Sequence, residues 1–390
     1  MNLFDFVIVG AGCAGLAVAR ELAAKGYLGR VLIVEAKQQF DNDKSWSFWA
    51  TQESPWFQLA PYRWPYSSLS MADKEIRLSY QDYRYCMLPS IDYYNYCNDK
   101  LSANTQLRFN TEVETIRSIV GVDISPNASS STKQIEDAQR FTLTMNDGSI
   151  VSCKHLLDTR PIFKKPRYFQ QFKGIEVKLE QAISAPDSVR LMEDIQSVDN
   201  GIVFLYILPL SPNHLLIEPT YFGVQQQDYE WLVSLALEWL KRNNLVGEKI
   251  LRTEKGILPM GGVTAEQVSY DVGGIAGNQL KSGSGYGFLN IQQWAIDYVG
   301  QFIGKNQPRK KTIRQQLFTL MDDLFIDVLI AKPALTPKLM LLTAMALPDD
   351  KFAKFMTEQS SWFEITRLLW QFPKSTFLKA LYLRAYKSDD

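Results

Sequence analysis

The first 35 residues constrain this chain more than any other segment. Phe4–Val9 reads FDFVIV, short, apolar and β-prone, as a strand buried on both faces requires. GAGCAG follows and sets Gly10, Gly12 and Gly15 in a GxGxxG pattern. LAVARELAAKG then places Leu16, Ala19, Leu22 and Ala23 on one helical face, with Gly26 as the stop. Val31–Val34 predicts a second strand, closed by Glu35 about 20 residues after Gly15. Strand, glycine loop, helix, strand and acid occur in the order of one βαβ unit, which a chance glycine turn would not supply.

Each part has its own physical task. Gly10 permits the tight turn, Gly12 lets a pyrophosphate approach the backbone, and Gly15 allows close helix–strand packing. The helix N-terminus offers free amides and a positive dipole end to that pyrophosphate. Glu35 would accept hydrogen bonds from an adenosine ribose. An acid there disfavours a 2′-phosphate, so FAD or NAD fits better than NADP, and the N-terminal position suits a flavoprotein.

At 390 residues the chain exceeds the usual single domain. Lys plus Arg and Asp plus Glu balance at 42 each, so no net field draws it to nucleic acid, and no nucleic-acid motif is present. Cys13, Cys86, Cys97 and Cys153 lack CxxC spacing, which points to a reducing compartment without metal or disulfide scaffold. With His155 and His214 as the whole histidine complement, a His-based triad has little to draw on. A strand starting at Phe4 leaves no room for a leader, and Leu339–Leu347 is too short to cross a bilayer. A cytoplasmic protein is expected, with peripheral contact to the inner membrane.

Further strands are expected at Phe109–Ile116 and Arg140–Met145, around a polar 125–134 loop, with an Asn146-Asp147-Gly148 turn after them. IVSCKHLLDTRP puts Leu156, Leu157 and Asp158 at a strand end. Gly174–Leu179, Val203–Leu208 and His214–Glu218 predict an antiparallel substrate sheet, and YEWLVSLALEWLKRN a helix. The 282–287 stretch, rich in Gly and Ser, opens a helix near Phe288. That helix N-terminus suits a flavin pyrimidine or pyrophosphate, with Gly277, Lys281, Ser282, Gly283, Gly285 and Tyr286 as candidate contacts; a plain loop-to-helix junction is an equal alternative.

The expected fold is α/β (α+β): a Rossmann-type FAD-binding fold of the glutathione-reductase/aromatic-hydroxylase kind, an antiparallel-sheet substrate domain and a helical C-terminal region. The expected parcels are 1–65 (FAD-binding Rossmann part), 66–108 (substrate side) and 109–162 (return strands). After them come 163–250 (substrate domain), 251–304 (second flavin-contacting part) and 305–390 (helical).

Five segments in order resemble bacterial lycopene cyclases: GAGCAGL; NDKSWSFW at 42–49; FLYILPLSPNHLLIEPT at 204–220; EKGILPMGG at 254–262; and AGNQLKSGSGYGF at 276–288. The middle three are more specific than the first, which unrelated flavoproteins share. The resemblance runs from Phe4 to about Phe288. It implies a flavin-dependent reaction without net redox change, in which a carboxylic acid protonates the end of lycopene or a related linear carotenoid. The resulting cation closes to a β-ring. It further implies FAD in reduced form, NAD(P)H as electron source, and possible contact with other carotenoid-pathway enzymes.

Glu218 matches the family's essential glutamate. Read from the residues alone, it fits a solvent-facing or Arg-paired strand residue better; the resemblance is what assigns it acid chemistry. A carboxyl at the end of an apolar strand, facing an oily substrate, would have its pKa raised by desolvation and could donate to carbon near neutral pH. Pro219 departs from the family pattern, and proline can end or bend a strand. Trp46, Phe48 and Trp49 are candidate channel residues whose π faces could stabilise a cation, with core packing the equal alternative. Asp43 fits a solvated turn at least as well as a ligand contact.

Pro308-Arg309-Lys310-Lys311 with Arg314 is a basic cluster, and Trp362–Tyr386 mixes Trp370, Phe372, Phe377, Leu381 and Leu383 with Lys and Arg. An aromatic–basic helix there would lie in a membrane interface or pack as a helical cap. The competing functions are an FAD-dependent monooxygenase or dehydrogenase of a polyene or terpenoid, and a silent carotenoid binder. Ala276-Gly277-Asn278 lacks the Gly-Asp-Ala-like acid of aromatic hydroxylases, and Pro219 is the main support for the silent binder.

Overall fold

The computed structural model describes residues 2–120, 139–263, 267–304 and 312–387; the expected 125–134 loop and the 308–311 basic residues lie outside them. The chain opens with β1 (Asn2–Val9), α1 (Cys13–Ala24) and β2 (Val31–Val34). An excursion follows through β3 (Ser45–Thr51), α2 (Pro55–Leu59), β4 (Tyr62–Trp64), β5 (Tyr66–Met71), β6 (Lys74–Ser79), β7 (Tyr83–Pro89) and α3 (Ser90–Asn98). It returns with β8 (Thr105–Arg108), β9 (Val113–Val120), β10 (Gln139–Met145) and β11 (Ile150–Asp158). Then come β12 (Tyr168–Leu179), β13 (Ser188–Val198), β14 (Gly201–Ser211), β15 (His214–Gly223), α4 (Tyr229–Arg242) and β16 (Gly247–Met260). After β17 (Asp271–Val272), the helices are α5 (Phe288–Phe302), α6 (Ile313–Ala331), α7 (Thr336–Ala346), α8 (Asp350–Met356), α9 (Trp362–Gln371) and α10 (Lys374–Lys387).

The first sheet runs β8-β2-β1-β11-β10-β9, with β17 also on β11. Its β8, β2, β1 and β11 are parallel neighbours, while β10 and β9 extend it antiparallel. Alternation along β1 serves both faces. Phe6 and Ile8 pack with Leu16, Leu22 and Ala295 of α1 and α5, whereas Val7 and Val9 join Leu143, Met145 and Val151. One expected strand is displaced. Residues 109–112 turn, with Asn110 at φ 50°, so pairing ends at Arg108 and resumes at Val113.

The second sheet, β16-β12-β15-β14-β13-β5-β6, is antiparallel apart from the β13–β5 pair. Ile175, Ile207, Leu215 and Ile217 pack under Ala236, Trp239 and Leu240 of α4. The opposite face carries Leu208, Leu216, Phe204 and Phe222 towards the third sheet, β3-β7-β4, and towards α6 and α7. Period-two alternation therefore turns Glu218 away from α4 and into the space between the sheets.

Pro219 neither ends nor shifts its strand. It sits opposite Leu205 on β14, and on the β12 side register is constant across it, Ile175 with Ile217 and Phe172 with Thr220. The acid is therefore mid-strand, not at a strand end. At the C-terminus the expected single stretch is two helices. Phe372 is extended (φ −80°, ψ 150°), as a residue before proline must be, and Pro373 separates α9 from α10.

Candidate active site

Two neighbouring rows of side chains cross the second sheet. Glu254 on β16 pairs with Gly174 on β12, and Glu218 on β15 pairs with Tyr206 on β14. The constant β12–β15 register places Gly174 between the two acids. In the next row Arg252 pairs with Glu176. Gly174 leaves a gap, and a Cβ there would lie 3.3 Å from Glu254 Cγ and 3.4 Å from Glu218 Cβ. The two carboxyls meet over the missing side chain, close enough to share a hydrogen bond.

The surroundings of the two acids differ. Glu254 Oε2 accepts from Arg252 Nη1 at 2.7 Å and from Ser45 Oγ at 3.1 Å. Arg252 also donates Nε to Glu176 at 2.8 Å and Nη2 to Ser45 Oγ at 3.0 Å, while His214 Nε2 lies 2.8 Å from Glu176 Oε1. Burial pushes the Glu218 carboxyl well above the ordinary carboxylate range; the charge and hydrogen bond of Glu254 push the same way, and Arg252 pulls back. Glu218 keeps some accessible surface, and that surface faces the cavity.

The cavity holds about 680 Å³ and is lined mostly by apolar and aromatic side chains. Glu218, Glu254, Tyr206 and Tyr286 mark its polar end. Tyr286 donates to or accepts from Tyr85 at 2.9 Å, and the buried Tyr206 hydroxyl completes no hydrogen bond of good geometry. Trp370, Phe377, Leu378 and Leu381 of α9 and α10 line it as well. The cavity thus extends from the acid pair to the last two helices.

The aromatic expectations divide. Ser47 and Trp49 on one side of β3 reach the cavity, and Trp46 reaches its edge while packing on Phe288 and Tyr93. Phe48 does not line it. Alternation turns this ring to the α1 side, where it stacks on Phe288 at 4.9 Å and joins the Rossmann-side core, so its expected channel role is corrected to core packing. Asp43 is taken up by Lys37 at 2.6 Å and by Tyr94 and Ser90.

The dinucleotide loop has the required shape. A Cβ on Gly15 would fall 2.0 Å from Gly10 O, Gly10 has φ +97°, and Gly12 faces open space. No side chain caps α1, and Glu35 accepts from the amides of Ala11 (2.7 Å) and Lys37 (3.0 Å) at the loop's edge. Gly277 closes a turn beside Gly274, whose own Cβ would lie 3.1 Å from Ala14 Cβ on α1. Gly283, Gly285 and Tyr286 line the cavity just before the uncapped N-terminus of α5, while Ser282 faces Gly261 through its carbonyl. Lys281 also lines the cavity, and its ammonium bonds both Asp322 oxygens (3.0 and 3.1 Å) and Glu358 (3.2 Å) of the C-terminal region. Gly174 lies in none of the five segments, and Glu254 and Tyr206, though inside two of them, carry no local mark of a role, because their meeting with Glu218 depends on strand register.

A family model for "Lycopene cyclase protein" matches residues 5–318. The chain belongs to the lycopene cyclase family. It is 25% identical over 266 residues to a lycopene beta-cyclase of Paracoccus sp. (strain N81106 / MBIC 01143), covering 66% of this chain and 61% of that protein. A lycopene beta-cyclase of Pantoea ananas is 23% identical over 266 residues, 66% of this chain and 62% of that protein. The chain thus spans about three fifths of the length of these relatives.

Among solved structures, an anhydrotetracycline hydroxylase (OxyS) from Streptomyces rimosus superposes with TM-score 0.57 at 14% identity, covering 91% of this chain and 76% of that one. A geranylgeranyl bacteriochlorophyll reductase-like protein from Thermoplasma acidophilum gives 0.55 at 10% identity, covering 98% and 96%. These likenesses establish the mixed α/β fold with its helical C-terminus. Four of the five segments noted in the sequence, all but the N-terminal loop, supply residues to the one cavity: Ser45, Glu218, Glu254 and Tyr286 among them.

Proposed function

We propose that this member of the lycopene cyclase family converts the linear ends of lycopene, or a related carotenoid, into β-rings by acid catalysis. The observation that carries this reading is a carboxyl, Glu218, at the polar end of an apolar cavity, where burial and the neighbouring Glu254 push its pKa well above the ordinary carboxylate range. Glu218 transfers its proton to the terminal double bond of the substrate and leaves a tertiary carbocation. The neighbouring double bond attacks that cation, forming the ring C–C bond, and loss of one proton from the ring restores neutrality. Atoms and electrons balance, so the product is an isomer. Water would trap the cation, and the apolar walls keep water out. The faces of Trp46, Trp49, Tyr206 and Tyr286 offer cation–π stabilisation.

FAD fits the loop. Gly10, Gly12 and Gly15 with the uncapped α1 would hold its pyrophosphate, Glu35 its ribose, and the Gly283–Tyr286 loop with Gly277 and Ser282 would face the flavin end. The family's reduced flavin, fed by NAD(P)H, would supply negative charge beside the cation. One structural neighbour, an aklavinone-11 hydroxylase, was solved as a ternary complex with FAD and aklavinone, which supports this choice of cofactor. The fold is shared with hydroxylases and does not choose between them and a cyclase; the acid at Glu218 favours the cyclase.

A substrate insoluble in water must arrive from lipid. Trp370 is 73% exposed and Leu378 64%, yet both also line the cavity, so α9 and α10 would sit at the surface of the inner membrane and admit the carotenoid. Among the described residues no helix is long and apolar enough to cross a membrane. Expression in a lycopene-accumulating bacterial host tests the whole reading. Cyclic carotene is expected from the parent chain and none from Glu218→Gln; unchanged lycopene with folded, flavin-loaded protein would overturn it.

A further inference from the structure

Two carboxyls packed over one glycine cannot both ionise without mutual repulsion, so such a pair holds one proton more tightly than a lone carboxyl would, and burial strengthens that hold. The partners decide where that proton sits. Glu254 has a guanidinium at 2.7 Å and a hydroxyl donor at 3.1 Å on Oε2. Arg252 is itself held between Glu254 and Glu176, with His214 behind Glu176. The groups facing Glu218 are Glu254 and Arg252 from β16, Tyr206 from β14, and Tyr286 from the loop before α5. Both tyrosines stay neutral under burial, so neither contributes a charge. The two acids are unequal: the guanidinium is hydrogen-bonded to Glu254, while Glu218 feels it only through space and otherwise faces neutral phenols and apolar walls.

We propose that Glu254 is a positioning residue whose carboxylate, fixed by Arg252 and Ser45, keeps the single proton of the pair on Glu218. It does so by electrostatics across the gap at Gly174, and it needs no contact with the reacting carbon. The cyclase reading enters only in saying what that proton is used for; the proton's location is a property of the pair itself. In that reading, Glu254 also favours return of a proton to Glu218 after each turnover, since an empty pair would carry two negative charges.

The test is infrared titration of the protonated-carboxyl C=O band in the full chain, with far-ultraviolet circular dichroism as the check on folding. The parent protein should show a band that survives at neutral pH, and Glu218→Gln should abolish it. Glu254→Gln should lower the band's titration midpoint by about one pH unit or more, and Glu254→Asp should restore it. Arg252→Gln should move the midpoint upward, giving the opposite sign should Glu254→Gln fail to fold. An unmoved midpoint in the folded Gln variants, or a band that survives Glu218→Gln at neutral pH, would overturn the proposal. Absence of cyclic carotene from the folded, flavin-loaded parent chain in the host assay, with these band shifts intact, would count against the cyclase reading alone.

Discussion

Gly174 stands opposite Glu254 in the β12–β16 ladder, and its missing side chain is the gap through which Glu254 meets Glu218. A methyl at that site would press on both acids at 3.3–3.4 Å, a contact tight enough to require small shifts. Gly174→Ala should reduce cyclic carotene severalfold, and Gly174→Val should abolish it while the protein keeps its flavin. Carotene analysis of the host and the flavin absorbance of the purified variants check this. Full activity in Gly174→Val would show that the two carboxyls need not meet.

Stability should carry the imprint of the same acid. The folded-state pKa of Glu218 lies well above its ordinary value of 4.5. Above that value the unfolded chain releases a proton that the folded chain retains, so the contribution of Glu218 is full below about 4.5 and is lost as pH rises towards the folded value. The limiting slope is about 1.4 kcal/mol per pH unit. Urea midpoints measured across pH should fall less steeply in Glu218→Gln than in the parent; identical slopes would mean that Glu218 titrates normally.

The dinucleotide loop tolerates no side chain at its third glycine. A Cβ on Gly15 would sit 2.0 Å from the carbonyl oxygen of Gly10, so Gly15→Val must push α1 off β1. The variant should purify without flavin absorbance or fail to accumulate. Stoichiometric flavin in it would remove the loop from cofactor binding.

Lys281 predicts a defect of another kind. Burial pulls its pKa down, and the carboxylates of Asp322 and Glu358 outweigh that and raise it. Replacing it with Met leaves Asp322 buried without its cation, at a cost of about 3 kcal/mol or more. Thermal denaturation should show a lower midpoint for Lys281→Met while flavin content is maintained. Flavin loss without a change in stability would return Lys281 to the cofactor.

On the outer face, α9 and α10 expose Trp362, Phe363, Trp370, Leu378 and Tyr382 beside Lys374, which lies 3.8 Å over the Trp370 ring. Sedimentation with vesicles containing anionic lipid should carry the parent down, and Trp370→Ala/Leu378→Ala should weaken that binding about tenfold. Equal binding by the double variant would place the lipid contact elsewhere.

Much of this protein is legible in its sequence, and the reason is locality. Gly10, Gly12, Gly15 and Glu35 lie within one βαβ unit, where each residue's task follows from backbone geometry and spacing alone. The strand that carries Glu218 and the helix that begins at Phe288 are likewise short-range patterns. Phe48 is ambiguous in the sequence because alternation states that two faces exist and not which one meets the cavity. Pro219 looks disruptive there because its lost amide is judged locally, whereas in the sheet the pairs on both sides of it hold the strand in register.

What tertiary structure alone decided is the meeting of Glu218 with Glu254. Their strands, β15 and β16, follow one another along the chain with α4 between them, yet in the sheet β12 is inserted between the two. A one-residue slip in either ladder would send one acid to the α4 side and leave the other alone. Sequence determined that the chain has a GxGxxG loop between a strand and a helix, and an acid among apolar residues. Register, closed by many hydrogen bonds distant in sequence, determined that this acid has a charged partner, and with it the proton.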